Sequence, residues 1–143
     1  MESAAIILAG GRSERFQRGG EPRVDKALTV VNGTTILERM VVQLQNCVDE
    51  TVISVASEES KRSYIQALPP DIVGGVRILV DDVRSGGPLA GIATSVKHTD
   101  AKQLLVLSCD IPFLNPAVVR ALFDRIGLSD AAIPVRSGGV MEA

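Results

Sequence analysis

The chain has 143 residues, a net charge of −2, and a composition that is 45% apolar but only 3% aromatic. That length suits one domain with a full core, and a mean hydropathy of +0.23 excludes a disordered chain. An isoelectric point near 5.4 and few rings for base stacking argue against a nucleic-acid partner.

No apolar run reaches the roughly 18 residues of a membrane span, so no membrane partner is expected. The opening MESAAIILAGG has neither a basic leader nor a small-residue cleavage site, and reads as a strand rather than a signal peptide. Cys47 and Cys109 stand far apart in apolar surroundings, without a CxxC or Cys/His cluster. They are expected as buried thiols, with neither a disulfide nor zinc, and a cytoplasmic location is the default.

In chain order, the continuous apolar run Ala4–Leu8 ends in Gly10-Gly11 and predicts a buried strand. Residues 12–25 are polar and Gly-containing, and read as a long loop. Asn32-Gly33 signals a turn. Thr35 stands three residues before Glu38 in a capping-box pattern, and the apolar spacing behind it predicts a helix over 36–46. Thr51–Ala56 is the second strand. Ser57 then caps a helix over Glu58–Ala67, closed by Pro69-Pro70.

Val76–Val80 is the third strand, followed by a loop over Asp81–Pro88 and a short helix over Ala90–Lys97. Gln103–Leu107 is the fourth strand. Asn115-Pro116 starts a helix that Gly127 ends, and Ala131–Val135 is expected as a fifth strand. This alternation predicts an α/β fold: a mostly parallel, Rossmann-like sheet covered by helices, in one domain over residues 1–143. In such sheets ligands bind beyond the carboxyl ends of the strands, at the switch point of strand order.

The residues after strands one, three and four are therefore the candidates. After strand one, Gly10-Gly11 permits close approach of a ligand to the backbone, and exposed N–H groups in such a turn hold base edges or phosphate oxygens. The same glycines also suit a plain tight turn. Arg12, Arg15, Arg18, Arg23 and Lys26 outnumber the acidic Glu14, Glu21 and Asp25 nearby, which fits a polyphosphate. Neither GxxxxGK[ST] nor GxGxxG occurs, which disfavours a P-loop NTPase and a hydride-transfer enzyme.

After strand three come Asp81-Asp82 and then Gly86-Gly87-Pro88-Leu89-Ala90-Gly91, whose glycines let a helix N-terminus approach an anion. After strand four, Asp110 projects from Ser108-Cys109-Asp110-Ile111-Pro112 as a hard carboxylate suited to Mg²⁺, or as a turn residue before the proline. Cys109 is expected to pack inward rather than act as a nucleophile, and His98 to serve a helix end.

Taken together, LAGGRSERF, Asp25-Lys26-Ala27-Leu28, NGTTILERM, GPLAGIATSV and LSCDIPFL resemble the molybdenum cofactor guanylyltransferases, the MobA-like nucleotidyltransferases, in the right order and over nearly the whole chain. LAGGxSxR with DKAL marks the wider nucleotidyltransferase group; GPLAG with CDxPFL is more specific. The resemblance implies a three-layer α/β/α sandwich of the nucleotide-diphospho-sugar transferase type. It implies transfer of GMP from GTP to the phosphate of molybdopterin cofactor, with Mg²⁺ and release of pyrophosphate.

By motif, Leu8, Ala9 and Gly10 would bind the guanine nucleotide through main-chain groups. Gly11, Ser13, Arg15 and Lys26 would lie along its phosphates, Asp82 would contact the nucleotide, and Asp110 would bind the metal. Arg15, Lys26 and Asp110 are the expected catalytic set.

A molybdoenzyme or cofactor-biosynthesis partner is also implied. The alternatives are a related transferase using CTP or another phosphorylated acceptor, and a non-catalytic GTP-binding module. Three departures from the family pattern stand out. Gln17–Val24 forms an Arg/Gly-rich insertion before Asp25. The strand-two segment Val52–Ser57 lacks the asparagine that relatives can carry there. The chain is also expected to lack the C-terminal part of the acceptor side.

Overall fold

In the computed structural model, residues 2–9, 25–82 and 86–135 are described. Strand β1 (Ser3–Leu8) leads through a 3₁₀ turn (Lys26–Leu28) and a hairpin of β2 (Val30–Val31) and β3 (Thr34–Thr35) into helix α1 (Ile36–Leu44). Then come β4 (Glu50–Val55), α2 (Glu58–Ala67), α3 (Pro70–Gly74) and β5 (Arg77–Val80). The remaining elements are α4 (Gly87–Lys97), β6 (Gln103–Ser108) and α5 (Pro116–Ile126).

The caps explain most of these boundaries. Thr35 Oγ1 accepts from the Glu38 amide at 3.1 Å, Ser57 Oγ from the Ser60 amide at 3.1 Å, and Asn115 Oδ1 from the Ala117 amide at 2.9 Å. Each satisfies an amide that the first helical turn leaves without a partner. Asn32 and Gly33 both have positive φ, 52° and 85°, as a two-residue hairpin turn with the right twist requires.

The main sheet is parallel, in the order β5-β4-β1-β6. Strands two and three of this set add outward on one side of β1. The chain then returns to place β6 on the other, with Ile6 of β1 between Val52 and Val106. The switch point lies between β1 and β6, and the crevice of such a sheet opens above it.

Ala5, Ile7, Ile53 and Leu105 face a layer built from α1, α2, α3 and α5, anchored by Leu37, Met40, Tyr64 and Val119. Each fully buried aliphatic side chain there contributes about 1.5–3 kcal/mol. The opposite face is packed by α4, which lies across β1, β4 and β5. The expected α/β/α sandwich is therefore observed.

Several expectations need correction. The fifth strand does not form: residues 131–134 lack regular structure, Val135 makes only an isolated bridge, and Ile133 is 57% exposed. Pro134 offers no ladder donor, so this short apolar run is a poor strand. Helix α1 stops at Leu44, two residues early, with residues 45–47 in turns. Helix α4 begins three residues earlier than expected, because Gly87-Pro88 already adopts its first turn. Pro70 opens a helix of its own instead of only closing α2. The 3₁₀ turn and the two-residue strands of the hairpin are too short to leave a periodic pattern.

Candidate active site

The carboxyl ends of β1, β4, β5 and β6 bring together segments that are far apart in sequence. Past the end of β1, the Ala9 amide donates to the Ser54 carbonyl at 2.8 Å, so the β1–β4 ladder runs one residue further. The Asp81 amide donates to the Val55 carbonyl at 2.8 Å and extends the neighbouring ladder likewise. Ala9 therefore turns its carbonyl, not its N–H, toward other partners. The Tyr64 hydroxyl of α2 reaches that carbonyl at 3.5 Å.

The Asp25–Leu28 segment is fixed by its own sequence. Asp25 Oδ1 accepts from the Ala27 amide at 3.0 Å, and Ala27 is fully buried. The Thr29 carbonyl accepts from the Ile36 amide at 2.9 Å, tying the segment to the start of α1. Lys26 is left half-buried on the rim with its own interaction partner. The segment stands near the β6 end, close enough for the charges of Asp25 and Lys26, with that of Asp110, to act on the Cys109 thiol. Burial, then the carboxylates of Asp25 and Asp110, push that thiol up to about 11, with Lys26 opposing. A thiol so protonated at neutral pH is a poor nucleophile, and Cys109 packs against the core as the sequence implies. Cys47 and Cys109 are both unpaired, though half-buried rather than fully enclosed.

Asp110 follows β6 on an exposed turn, and the Ser108 hydroxyl donates to its Oδ1 at 2.6 Å. The turn is braced by Phe113, whose ring lies 5.5 Å from the Arg39 guanidinium of α1. Arg39 Nη2 donates to the Val31 carbonyl at 2.9 Å, so this one side chain links hairpin, helix and Asp110 turn.

The two aspartates after β5 divide. Asp81 turns inward and accepts from the buried Ser54 hydroxyl, and burial raises its pKa despite that donor, with Asp82 adding a smaller push. Asp82, the residue carried over by motif, is exposed. Its amide donates to Thr94 Oγ1 at 3.1 Å and its carboxylate pairs with Lys97 Nζ at 3.4 Å. Gly91 serves the sheet rather than a ligand: a Cβ there would run into Ser54 Oγ and lie 3.0 Å from Leu8 Cδ2. His98 ends α4, with Nδ1 2.8 Å from the Thr94 carbonyl, as a helix-end residue should.

Thus Leu8, Ala9, Lys26 and Asp110 gather at the switch point, while Asp82 sits further along, over α4. Gly10, Gly11, Ser13 and Arg15 lie outside the described residues. Among the described residues no three His, Cys, Asp or Glu side chains converge as a ready metal cage. The Asp110 carboxylate has one oxygen engaged by Ser108 and is open to solvent. That fits Mg²⁺, which uses one or two carboxylates and completes its shell with phosphates and water.

The MobA-like NTP transferase domain matches residues 5–143. The chain belongs to the MobA-like NTP transferase family. Among curated proteins it is 35% identical over 131 residues to a probable molybdenum cofactor guanylyltransferase of Methanosarcina mazei, covering 92% of this chain and 56% of that protein. It is 34% identical over 140 residues to the molybdenum cofactor guanylyltransferase of Shewanella sp. strain MR-4, covering 96% and 64%. The chain thus spans somewhat more than half the length of these relatives. Among solved structures, a nucleotidyl transferase from Methanothermobacter thermautotroptrophicus superposes with a TM-score of 0.71 at 24% identity, over 87% of this chain and 57% of that one.

That likeness places the fold of this family member among the nucleotidyltransferases. Sequence reasoning missed three residues that organise the site: Ser54, Tyr64 and Arg39. Tyr64 is the only tyrosine of the chain, in an otherwise polar helix, and that oddity was its one visible signal.

Proposed function

We propose that this domain transfers GMP from GTP to the phosphate of molybdopterin cofactor, with release of pyrophosphate. The observation that carries the reading is the convergence of the Ala9 carbonyl, Lys26 and Asp110 at the β1–β6 switch point. Family membership narrows the substrate: the relatives in Methanosarcina and Shewanella are named molybdenum cofactor guanylyltransferases.

Each group has a physical role. A carbonyl acceptor at Ala9 suits the ring N–H and amino donors of guanine. Lys26 offsets phosphate charge, joined by Arg15, Ser13 and the backbone of Gly10 and Gly11, and Asp82 contacts the nucleotide. Asp110 holds Mg²⁺, which when bound draws charge from the phosphate oxygens. Attack of one phosphate on another is an encounter of anions, so positioning and charge neutralisation are the main demands, without a covalent enzyme intermediate. The unpaired thiols Cys47 and Cys109 suit the reducing cytoplasm, where we place the reaction.

The test is pyrophosphate release with GTP, Mg²⁺ and loaded molybdopterin, using CTP and ATP as controls, on this chain and on a longer version. GTP-selective, molybdopterin-dependent release is expected. Saturable GTP binding without release from either chain would assign a non-catalytic nucleotide-binding module instead.

A further inference from the structure

Helix α4 turns Ala90, Gly91, Thr94 and Ser95 toward the sheet, and Thr94 is only 2% exposed. A buried hydroxyl needs a polar partner. Thr94 finds one where β5 leaves the sheet. The Asp81 amide still donates to the Val55 carbonyl of β4, but the next amide, that of Asp82, turns out of the ladder and donates to Thr94 Oγ1 at 3.1 Å. One turn further along α4, Lys97 Nζ stands 3.4 Å from Asp82 Oδ2. Asp82 is thus held at its amide and at its carboxylate by two residues three apart on one helix. The ion pair is exposed, and exposed pairs contribute little. The hydrogen bond to the buried threonine is the firmer hold, and α4 is itself seated by Gly91 against Ser54 and Leu8.

A carboxylate engaged by a lysine accepts hydrogen bonds and donates none, and it has about four lone-pair sites, so Lys97 does not exhaust it. The part of a nucleotide that suits Asp82 is therefore a donor, a ribose hydroxyl or a base N–H, and not the phosphates. We propose that Thr94 is a positioning residue for the nucleotide: by holding the Asp82 amide it fixes the exit from β5 and presents the Asp82 carboxylate to the donor groups of the nucleoside. The role rests on the guanylyl-transfer reading above, since it takes Asp82 as a nucleotide contact.

Thr94→Val isolates the claim, because valine keeps the branched shape and removes the acceptor oxygen. Thr94→Ser keeps the oxygen, and Asp82→Ala removes the carboxylate while leaving the amide that Thr94 holds. Thr94→Ala removes the same oxygen with a smaller side chain, and carries the test should the valine variant fail to fold. Isothermal titration of GTP, and separately of pyrophosphate, with Mg²⁺ into the wild type, these variants and the Asp82→Ala/Thr94→Val double variant reads the two parts of the nucleotide. For Thr94→Val, GTP binding is expected to weaken about 3- to 10-fold, the effect of one hydrogen bond. Pyrophosphate binding should be unchanged. Thr94→Ser should bind GTP close to the wild type. Asp82→Ala should lose at least as much as Thr94→Val, and the double variant should bind no more weakly than Asp82→Ala, as expected when one residue acts through the other.

A threonine that only completes the packing of α4 predicts otherwise: unchanged GTP affinity in a folded Thr94→Val or Thr94→Ala, equal losses for GTP and pyrophosphate, or strictly additive losses in the double variant. Any of these results overturns the positioning role, as does a Thr94→Ser that binds as weakly as Thr94→Val. Normal GTP binding by Asp82→Ala beside normal wild-type binding removes the role of Asp82, and that of Thr94 with it, but leaves the functional reading standing. Absence of GTP binding by the wild type overturns the functional reading itself.

Discussion

Two serine–aspartate pairs stand at the carboxyl end of the sheet, and they are chemically alike. In one, Ser54 of β4 donates to Asp81; in the other, Ser108 of β6 donates to Asp110. Ser54 is 1% exposed, pressed under Gly91 of α4, and its aspartate is partly desolvated. Ser108 and Asp110 are exposed beside the switch point. The same two functional groups therefore brace the fold in one place and are free to meet a ligand in the other. Position in the strand order decides which: β4 is covered by its neighbours and α4, whereas β6 is the last strand among the described residues.

The largest expected effect lies at the exposed pair. Asp110→Ala should lower pyrophosphate release by about 10²-fold or more. It should change the unfolding free energy read from urea denaturation by no more than the roughly 0.5 kcal/mol typical of surface changes. Lys26→Ala should give a comparable rate loss. Near-normal turnover in both variants would remove the catalytic half of the contrast.

The next effect belongs to the braced pair. Gly91→Ala forces a methyl group against Ser54 and Leu8 and should destabilise the fold by about 1–3 kcal/mol, read as a lower urea midpoint at unchanged m-value. A neutral result would mean that α4 can lift from the sheet without cost.

Smaller still is Ser54→Ala, which deprives Asp81 of its donor and should cost about 1 kcal/mol. Ser108→Ala should leave stability nearly unchanged. Equal losses in the two variants would erase the distinction between the pairs.

The smallest effect is one of pH. Burial raises the Asp81 pKa in the folded state above its unfolded value of about 3.9, so over that window the folded protein binds more protons than the unfolded one. Stability from this group therefore falls as pH rises through the window, and the cost is complete above the folded pKa. Asp81→Asn abolishes that slope. Relative to the wild type, its urea midpoint should improve from pH 4 to pH 7, and a flat difference would show that Asp81 does not titrate abnormally.

The elements of the fold were largely legible because their signals are local. Apolar runs bounded by glycine, and Thr35, Ser57 and Asn115 as caps, act within a turn or two of themselves. The failures were local too. Pro70-Asp71-Ile72-Val73-Gly74 is too short for periodicity, and Ala131–Val135 is apolar enough for a strand but has no regular sheet partner among the described residues. In the candidate site, the places of Lys26 and Asp110 beside the strand ends could be read from their motifs. Ser54, Tyr64 and Arg39 could not, since an isolated serine, tyrosine or arginine carries no spacing pattern.

The sequence by itself determined an α/β chain with charged and small residues at its strand ends. Only the tertiary structure decided which of Asp81 and Asp82 turns inward and why Gly91 must lack a side chain. It also decided that the one tyrosine turns into the core with its hydroxyl toward the Ala9 carbonyl. The reason is physical. Propensity and capping are set by neighbours within a few residues, whereas burial and hydrogen-bond partners are set by segments that meet only once the sheet has ordered its strands. Ser54 and Asp81 are 27 residues apart, and Ala9 and Tyr64 are 55 apart.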